Sequence, residues 1–346
     1  MKKIFSLLVA ITLLTTIFTG CSSSTEKAGK DYDTITMVWY PNESGDDLKS
    51  ARDEFAKVIE EATGKKVEHK LTTDYAITIE TLVNGNAHIS WLGAQGYIEA
   101  HNKNDKVLPV VVNSGKSGTL EDAVYYSWLS VQKGNEDQYK LGDEFSIDNI
   151  QGKKFSFVSN SSTSGFKVPS AGIISYFSKK SNWKNISKED LLEGGDDKFF
   201  KEVLFGGSHQ GSAVNLLTGK ADIAAFCDSC VANYVELIDG TANRPGAVYK
   251  VKDNAAEPFN TIPGEEFTLI SVTPVLNAPF AMNSEVLSVE DQKAIIEALT
   301  SDKVPNNEKI FVPEGSNFKG LFDKDGDSRF LKVEDSWFDP VRELSK

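Results

Sequence analysis

Along this chain, short apolar runs alternate with stretches whose apolar residues recur every three to four positions. "TITMVWY", residues 34–40, reads as a strand. The segment after it, SGDDLKSARDEFAKVIEEATGKK, sets Leu48, Ala51, Phe55, Val58, Ile59 and Ala62 on one face at helical spacing. Ser44 with Asp47 three residues on predicts a capping box at the start of that helix, and Gly64 predicts its end. Strand "KVEHKL", helix "DYAITIETLVNG", strand "HISWLG", a helix from about Gln95 to His101 and strand "VLPVVVN" follow. Such a βαβα rhythm predicts a largely parallel sheet covered by helices on both faces.

A second set repeats the rhythm. "YYSWLSVQ" and "KKFSFVS" read as strands, "VPSAGIISYFSKK" as a helix, "KEVLFGG" as a strand, "SAVNLLTGK" as a helix and "ADIAAF" as a strand. "FTLISVTP" then precedes a last helix from about Ser288 to Leu299. Two α/β units joined by extended segments enclose a cleft, and ligands of open α/β sheets bind beyond the carboxyl ends of the strands.

One such strand end carries unusual chemistry. After Phe155–Val158 the chain offers Ser159, Ser161, Ser162, Thr163 and Ser164, then Gly165, with Pro169 near a helix start. Backbone N–H groups at a helix start, helped by short hydroxyl side chains, suit an anionic group. A helix cap requires only one hydroxyl, so capping alone does not account for the run.

The N-terminus changes where this chemistry is placed. MKKIFSLLVAITLLTTIFTGC combines two lysines, an apolar run and small residues before Cys21, which is a secretory signal over residues 1–20. "FTG" before Cys21 resembles the bacterial lipoprotein cleavage box, in which the cysteine becomes the lipidated mature N-terminus, and residues 21–32 read as a flexible tether. The expected location is the extracellular face of the cytoplasmic membrane, anchored by lipid. Without residues 1–20, 35 basic residues face 50 acidic ones, a net charge of −15 that disfavours nucleic acid as a partner. Cys227 and Cys230 in "FCDSC" form an even pair in an oxidising location and read as a local disulfide or two plain thiols; a redox-active pair lacks a thioredoxin-like context.

The Ser162-Thr163-Ser164-Gly165 run followed by Pro169 resembles the anion loop of the phosphonate, phosphite and phosphate solute-binding proteins of ABC importers. "YPNE" at 40–43, "TTDYA" around Tyr75, "ISWLG", "VYYSWLSV" around Tyr125, "GGSHQGSAV" around His209, "GKADIA" around Asp222 and "WFDPVREL" agree in order, over nearly all of the mature chain. The resemblance implies an α/β, two-lobed type II periplasmic-binding-protein fold with a hinge and a central ligand cleft. One lobe would comprise residues 33–130 with 272–346 and the other 131–271. It implies that Tyr75, Tyr125, Ser162, Thr163, Ser164 and His209 surround an anionic head, with no cofactor and no metal. Membrane subunits of an ABC permease would be the partner.

Two departures bear on the ligand. Family members that take aminophosphonates place a glutamate shortly after the position of Asp222 and an aspartate near the return crossing. Here the first falls at about Asp228 or Ser229, and Asn277 or Ala278 stands at the second. An amino acid would set its carboxylate on the 162–164 loop and its ammonium near Asp228, with Trp39, Tyr40, Trp91, Tyr126 and Phe226 available to pack a side chain. As a whole the chain also resembles a clostridial surface adhesin lipoprotein of this family, which implies tyrosine as ligand and a second role in attachment to the host-cell surface. The expectation is therefore an aromatic amino acid, tyrosine first, with a phosphonate as alternative.

An enzyme is not expected, since no GxSxG, HExxH or P-loop pattern accompanies His209. DKDGDSRFLKVE, residues 323–334, imitates a calcium loop with Asp323, Asp325 and Asp327 at positions one, three and five and Glu334 at twelve. Ser328 stands at position six, where such a loop requires glycine, so the stretch reads as a turn.

Overall fold

The computed structural model describes residues 32–344. The signal segment, Cys21 and nearly all of the tether lie outside the described residues. Among the described residues no helix is long and apolar enough to cross a membrane.

Two mixed sheets organise the chain. The first runs, in spatial order, Phe330–Lys332, Val107–Asn113, Phe280–Asn283, Ile89–Trp91, Thr34–Trp39 and Lys66–Leu71. Thr34–Trp39 is parallel to both of its neighbours, whereas Phe280–Asn283 is antiparallel to Ile89–Trp91 and to Val107–Asn113. The expected largely parallel sheet is thus mixed, because a strand from the far end of the chain inserts between two that follow one another in sequence. Period-two alternation decides the faces: Ile35, Met37 and Trp39 join one buried cluster and Val38 the opposite one.

The second sheet runs Val235–Asp239, Val248–Val251, Glu266–Leu276, Val124–Gln132, Ile223–Cys227, Lys154–Phe157 and Glu202–Phe205. Ile223–Cys227, Lys154–Phe157 and Glu202–Phe205 are mutually parallel and the other pairings antiparallel. Ala224 and Phe226 enter one buried cluster while Ile223 and Ala225 enter the other.

The chain passes between the sheets after Asn113 and again after Leu276. Val124–Gln132 and Glu266–Leu276 lie wholly in the second sheet and pair antiparallel from Phe267↔Gln132 to Leu276↔Val124. Beyond that pairing the two crossings brace each other: Asn277 N–H donates to the Ala123 carbonyl at 3.0 Å, and Asn277 Nδ2 donates to the Asn113 carbonyl at 2.6 Å. Two adjacent, hydrogen-bonded crossings form a hinge about which two packed bodies can turn.

The helix Lys49–Thr63 ends at Gly64, whose φ of 69° needs no Cβ, as expected. Its start differs from the expected capping box. Ser44 Oγ donates back to the Tyr40 carbonyl, and a single turn, Asp46–Leu48, intervenes before the helix. The serine hydroxyl is committed to the strand end and does not cap.

Candidate functional site

Between the sheets lies a cavity of about 330 Å³, lined by strand ends and crossings of both lobes. The 162–164 loop forms part of its wall. Ser162 Oγ accepts the Gly165 N–H at 3.1 Å, and Lys167 N–H bonds the Ser162 carbonyl, so the chain makes one wide turn, Thr163–Lys167, before the helix Val168–Phe177. Gly165 is required there: a Cβ would lie 2.2 Å from Val158 Cγ2. Ser127 Oγ donates to the Ser164 carbonyl at 2.7 Å and fixes the loop on the sheet. Ser164 Oγ is buried and has no hydrogen-bond partner; the Tyr125 hydroxyl approaches it without closing a bond of good geometry.

Ser159 and Ser161 do not line the cavity. The Ser159 carbonyl accepts the Ser162 N–H and so shapes the turn.

His209 opens the helix His209–Leu217, which Ser208 caps through the Gly211 N–H. His209 Nδ1 accepts the Cys227 N–H at 3.0 Å, which leaves the ring proton on Nε2, facing Ser162 Oγ at 3.4 Å. Burial lowers its pKa to about 3, so the ring is a neutral donor. The ring can therefore serve as a hydrogen-bond donor but not as a cation.

Tyr75 begins the helix Tyr75–Val83, capped by Asp74. Its ring stacks on Tyr40 at 4.0 Å, and its hydroxyl accepts from Asn42 Nδ2 at 2.6 Å. Burial raises the hydroxyls of Tyr40 and Tyr75 far above their ordinary range and that of Tyr125 to about 12, so all three remain protonated donors. Asp228 opens the short helix Asp228–Val231, where its Oδ1 accepts the Tyr126 N–H at 2.9 Å. Burial first, opposed by hydrogen bonds from Tyr126 and Ser229, raises its pKa to about 6. Cys227 and Cys230 are bonded as a disulfide, S–S 2.02 Å, and Cys230 reaches the cavity wall.

Of the residues picked from the sequence, Tyr40, Tyr75, Tyr125, Ser162, Thr163, Ser164, His209 and Asp228 share this one cavity. Tyr126 does not: strand alternation turns it to the face of Trp128, where it packs against the second lobe's core. Trp39 and Phe226 are likewise wholly buried in cores, whereas Trp91 lines the cavity.

Several wall residues escaped the sequence reading. Asn42 and Glu43 follow a strand end, the position where α/β sheets place ligands, and that was the available signal. Lys116 comes from the first crossing, whereas Asn277, on the second, is a position that the sequence had already singled out near the return crossing. Asp323, Asp325 and Ser328 come from the stretch that imitates a calcium loop. Among the described residues the only three His, Cys, Asp or Glu groups with ligand atoms within 4.8 Å of one another are His209, Cys227 and Cys230, so the aspartates of 323–327 do not converge on an ion. Ser328 Oγ instead accepts the Asp325 N–H, closing a plain turn.

The lobes are closed on the cavity. Asn42 Oδ1 accepts the His209 N–H at 3.0 Å and its carbonyl accepts from Gln210 Nε2 at 3.1 Å. Thr163 Oγ1 accepts the Gln95 N–H at 2.9 Å, and Asn233 Nδ2 donates to the Gly320 carbonyl at 3.1 Å.

Comparison with known proteins agrees with this fold. The family model described as "ABC transporter, phosphonate, periplasmic substrate-binding protein" matches residues 37–338. A curated relative, the phosphate-import protein PhnD of Mycolicibacterium smegmatis, is 26% identical over 295 residues, covering 84% of each chain. Among solved structures, the binding-protein component of an ABC phosphonate transporter from Pseudomonas aeruginosa superposes with a TM-score of 0.63 at 21% identity, over 91% of this chain and 86% of that one. PhnD1 of Prochlorococcus marinus, solved with methylphosphonate, gives a TM-score of 0.63 at 15% identity over 90% and 97%. These matches correct the expectation that put an aromatic amino acid first. They are to phosphonate and phosphate proteins, which favours the alternative, and nothing in them extends to attachment to host cells. The family is one of substrate-binding transport proteins rather than enzymes, working outside the cytoplasmic membrane. A match over residues 37–338 spans most of the chain, which therefore belongs to the phosphonate periplasmic substrate-binding protein family of ABC transporters.

Proposed function

We propose that this protein captures a phosphonate or related phosphorus oxyanion between its lobes and delivers it to the membrane subunits of an ABC importer, held at the membrane by lipid on Cys21. The observation that carries the reading is the 162–164 wall: a fixed loop of hydroxyl and backbone donors at a helix start, faced by the neutral donors His209, Tyr75 and Tyr125. Such a set binds an anion through many hydrogen bonds that converge only when both lobes meet, so the ligand is held in the closed form and freed on opening.

Volume favours a substituted phosphonate over bare phosphate. A cavity of about 330 Å³ has room for about ten waters at about 30 Å³ each, far more than a five-atom oxyanion displaces. Trp91 and Phe322 on the wall offer apolar surface to a substituent.

The test is titration calorimetry on ligand-stripped protein with methylphosphonate, phosphite, phosphate and a panel of amino acids. Binding of at least one phosphorus oxyanion at about micromolar concentration, roughly −8 kcal/mol, is expected. Failure of all of them, with an amino acid binding instead, overturns the proposal. For the anchor, Cys21→Ala is expected to release the protein from the membrane fraction or leave an unprocessed precursor; unchanged retention with normal processing overturns that part.

A further inference from the structure

We propose that Glu43 is a specificity-determining residue of the cleft: a neutral carboxylic acid on the first lobe that donates its proton to the ligand's anionic head across from the 162–164 loop. This deepens the phosphonate reading and rests on it. Glu43 lies on the cavity wall with 6% of its surface exposed, and its Oε2 is buried with no hydrogen-bond partner. It closes the turn Pro41–Glu43. That turn is rigid: Arg52 NH1 donates to the carbonyls of Glu43 and Gly45, and Asn42 ties it to Tyr75, His209 and Gln210.

Arg52 is the one cation beside Glu43, yet among the described residues no ion pair joins the two. The other groups facing the carboxyl are the hydroxyls of Tyr40 and Tyr75 on its own lobe and of Tyr234 on the other. None of the three is charged near neutral pH. Burial, only partly offset by hydrogen bonds and Arg52, raises the Glu43 pKa to about 8, so the acid form prevails at neutral pH.

An acid in this place selects among ligand protonation states. A neutral carboxyl donates to a fully ionised phosphonate, which brings only acceptors. An ionised carboxylate would repel that dianion and require the ligand to carry the proton itself. The same arithmetic excludes a second acceptor-only role: once Glu43 has lost its proton, binding the dianion must recruit one from solution.

The experiment is calorimetric titration of methylphosphonate into wild type, Glu43→Gln and Glu43→Ala from about pH 6 to about pH 9.5, with thermal unfolding to confirm folding. The ligand's own titration is common to all three and cancels in ratios. The affinity ratio of wild type to Glu43→Gln is expected to hold steady up to about pH 8 and then fall by up to about tenfold per pH unit, the cost of supplying one proton. Glu43→Ala, with no donor, is expected to bind more weakly than Glu43→Gln at every pH. A ratio that stays level or rises across the range, or Glu43→Ala binding as well as wild type, overturns the inference while leaving the phosphonate reading intact. If wild type binds no phosphorus oxyanion at any pH, both are overturned together.

Discussion

Two short polar segments, 162–164 and 323–328, line the same cavity and present opposite chemistry. The first offers backbone N–H groups and hydroxyls held by the sheet, its Ser164 carbonyl pinned by Ser127. The second offers the carboxylates of Asp323 and Asp325 on a turn closed by Ser328 and braced against the first crossing, where Asp327 N–H donates to the Lys116 carbonyl. Donors on one segment and acceptors on the other suit a ligand that is anionic at one end. What distinguishes the segments is burial: residues 162–164 are at most 2% exposed, whereas Asp323 and Asp325 are exposed, so the same number of polar contacts is worth more in the loop.

The strongest way to break this comparison is to strip the loop. Ser162→Ala with Ser164→Ala is expected to weaken phosphonate binding by roughly a hundredfold or more, since each charge-assisted hydrogen bond contributes about 1.5–3 kcal/mol. Calorimetry checks this, and unchanged affinity in a folded double variant would remove the loop from the site. Next in size is the closure that brings the walls together. Asn42→Ala deletes the side-chain bond to the His209 N–H and loosens the turn that holds Gln210, and roughly tenfold weaker binding of every ligand is expected. Small-angle scattering is expected to show a larger radius at a given ligand concentration; a radius identical to wild type argues that the hinge does not govern binding.

A smaller effect is expected at Asp228. Its pKa, raised to about 6 by burial, leaves it ionised above that value and neutral below it. An ionised carboxylate in the cavity repels an anion, so Asp228→Asn is expected to bind methylphosphonate several-fold more tightly above about pH 6. That gain disappears as pH falls through the same value; a gain that persists in acid, or a loss at neutral pH, contradicts the sign. The smallest change is expected on the solvated wall: Asp325→Asn shifts affinity by less than about threefold, as exposed charges usually do. Calcium is expected to give no heat of binding to the wild type, and a saturable calcium isotherm abolished by Asp325→Asn would restore the calcium-loop reading.

Most elements were legible because their causes are local. Period-two and period-3.6 patterns marked the strand "TITMVWY" and the helix ending at Gly64, and the hydroxyl run marked a donor-rich turn at a helix start. The antiparallel insertion of Phe280–Asn283 was not legible, since residues some 170–190 positions apart decide it. The capping box at Ser44 failed because the hydroxyl found a partner, the Tyr40 carbonyl, that spacing does not reveal.

By itself, then, the sequence determined which segments are strands and helices and which carry donors, because torsional preference and side-chain periodicity act over a few residues. The tertiary structure alone decided which of those donors meet. Tyr125 and Tyr126 are equivalent in sequence, and only the sheet's surroundings assign one to the cavity and the other to the core. His209 became a neutral donor and Glu43 a buried acid because burial removes the water that would stabilise their charged forms. Burial of that kind arises only when two lobes, separated along the chain, close on each other.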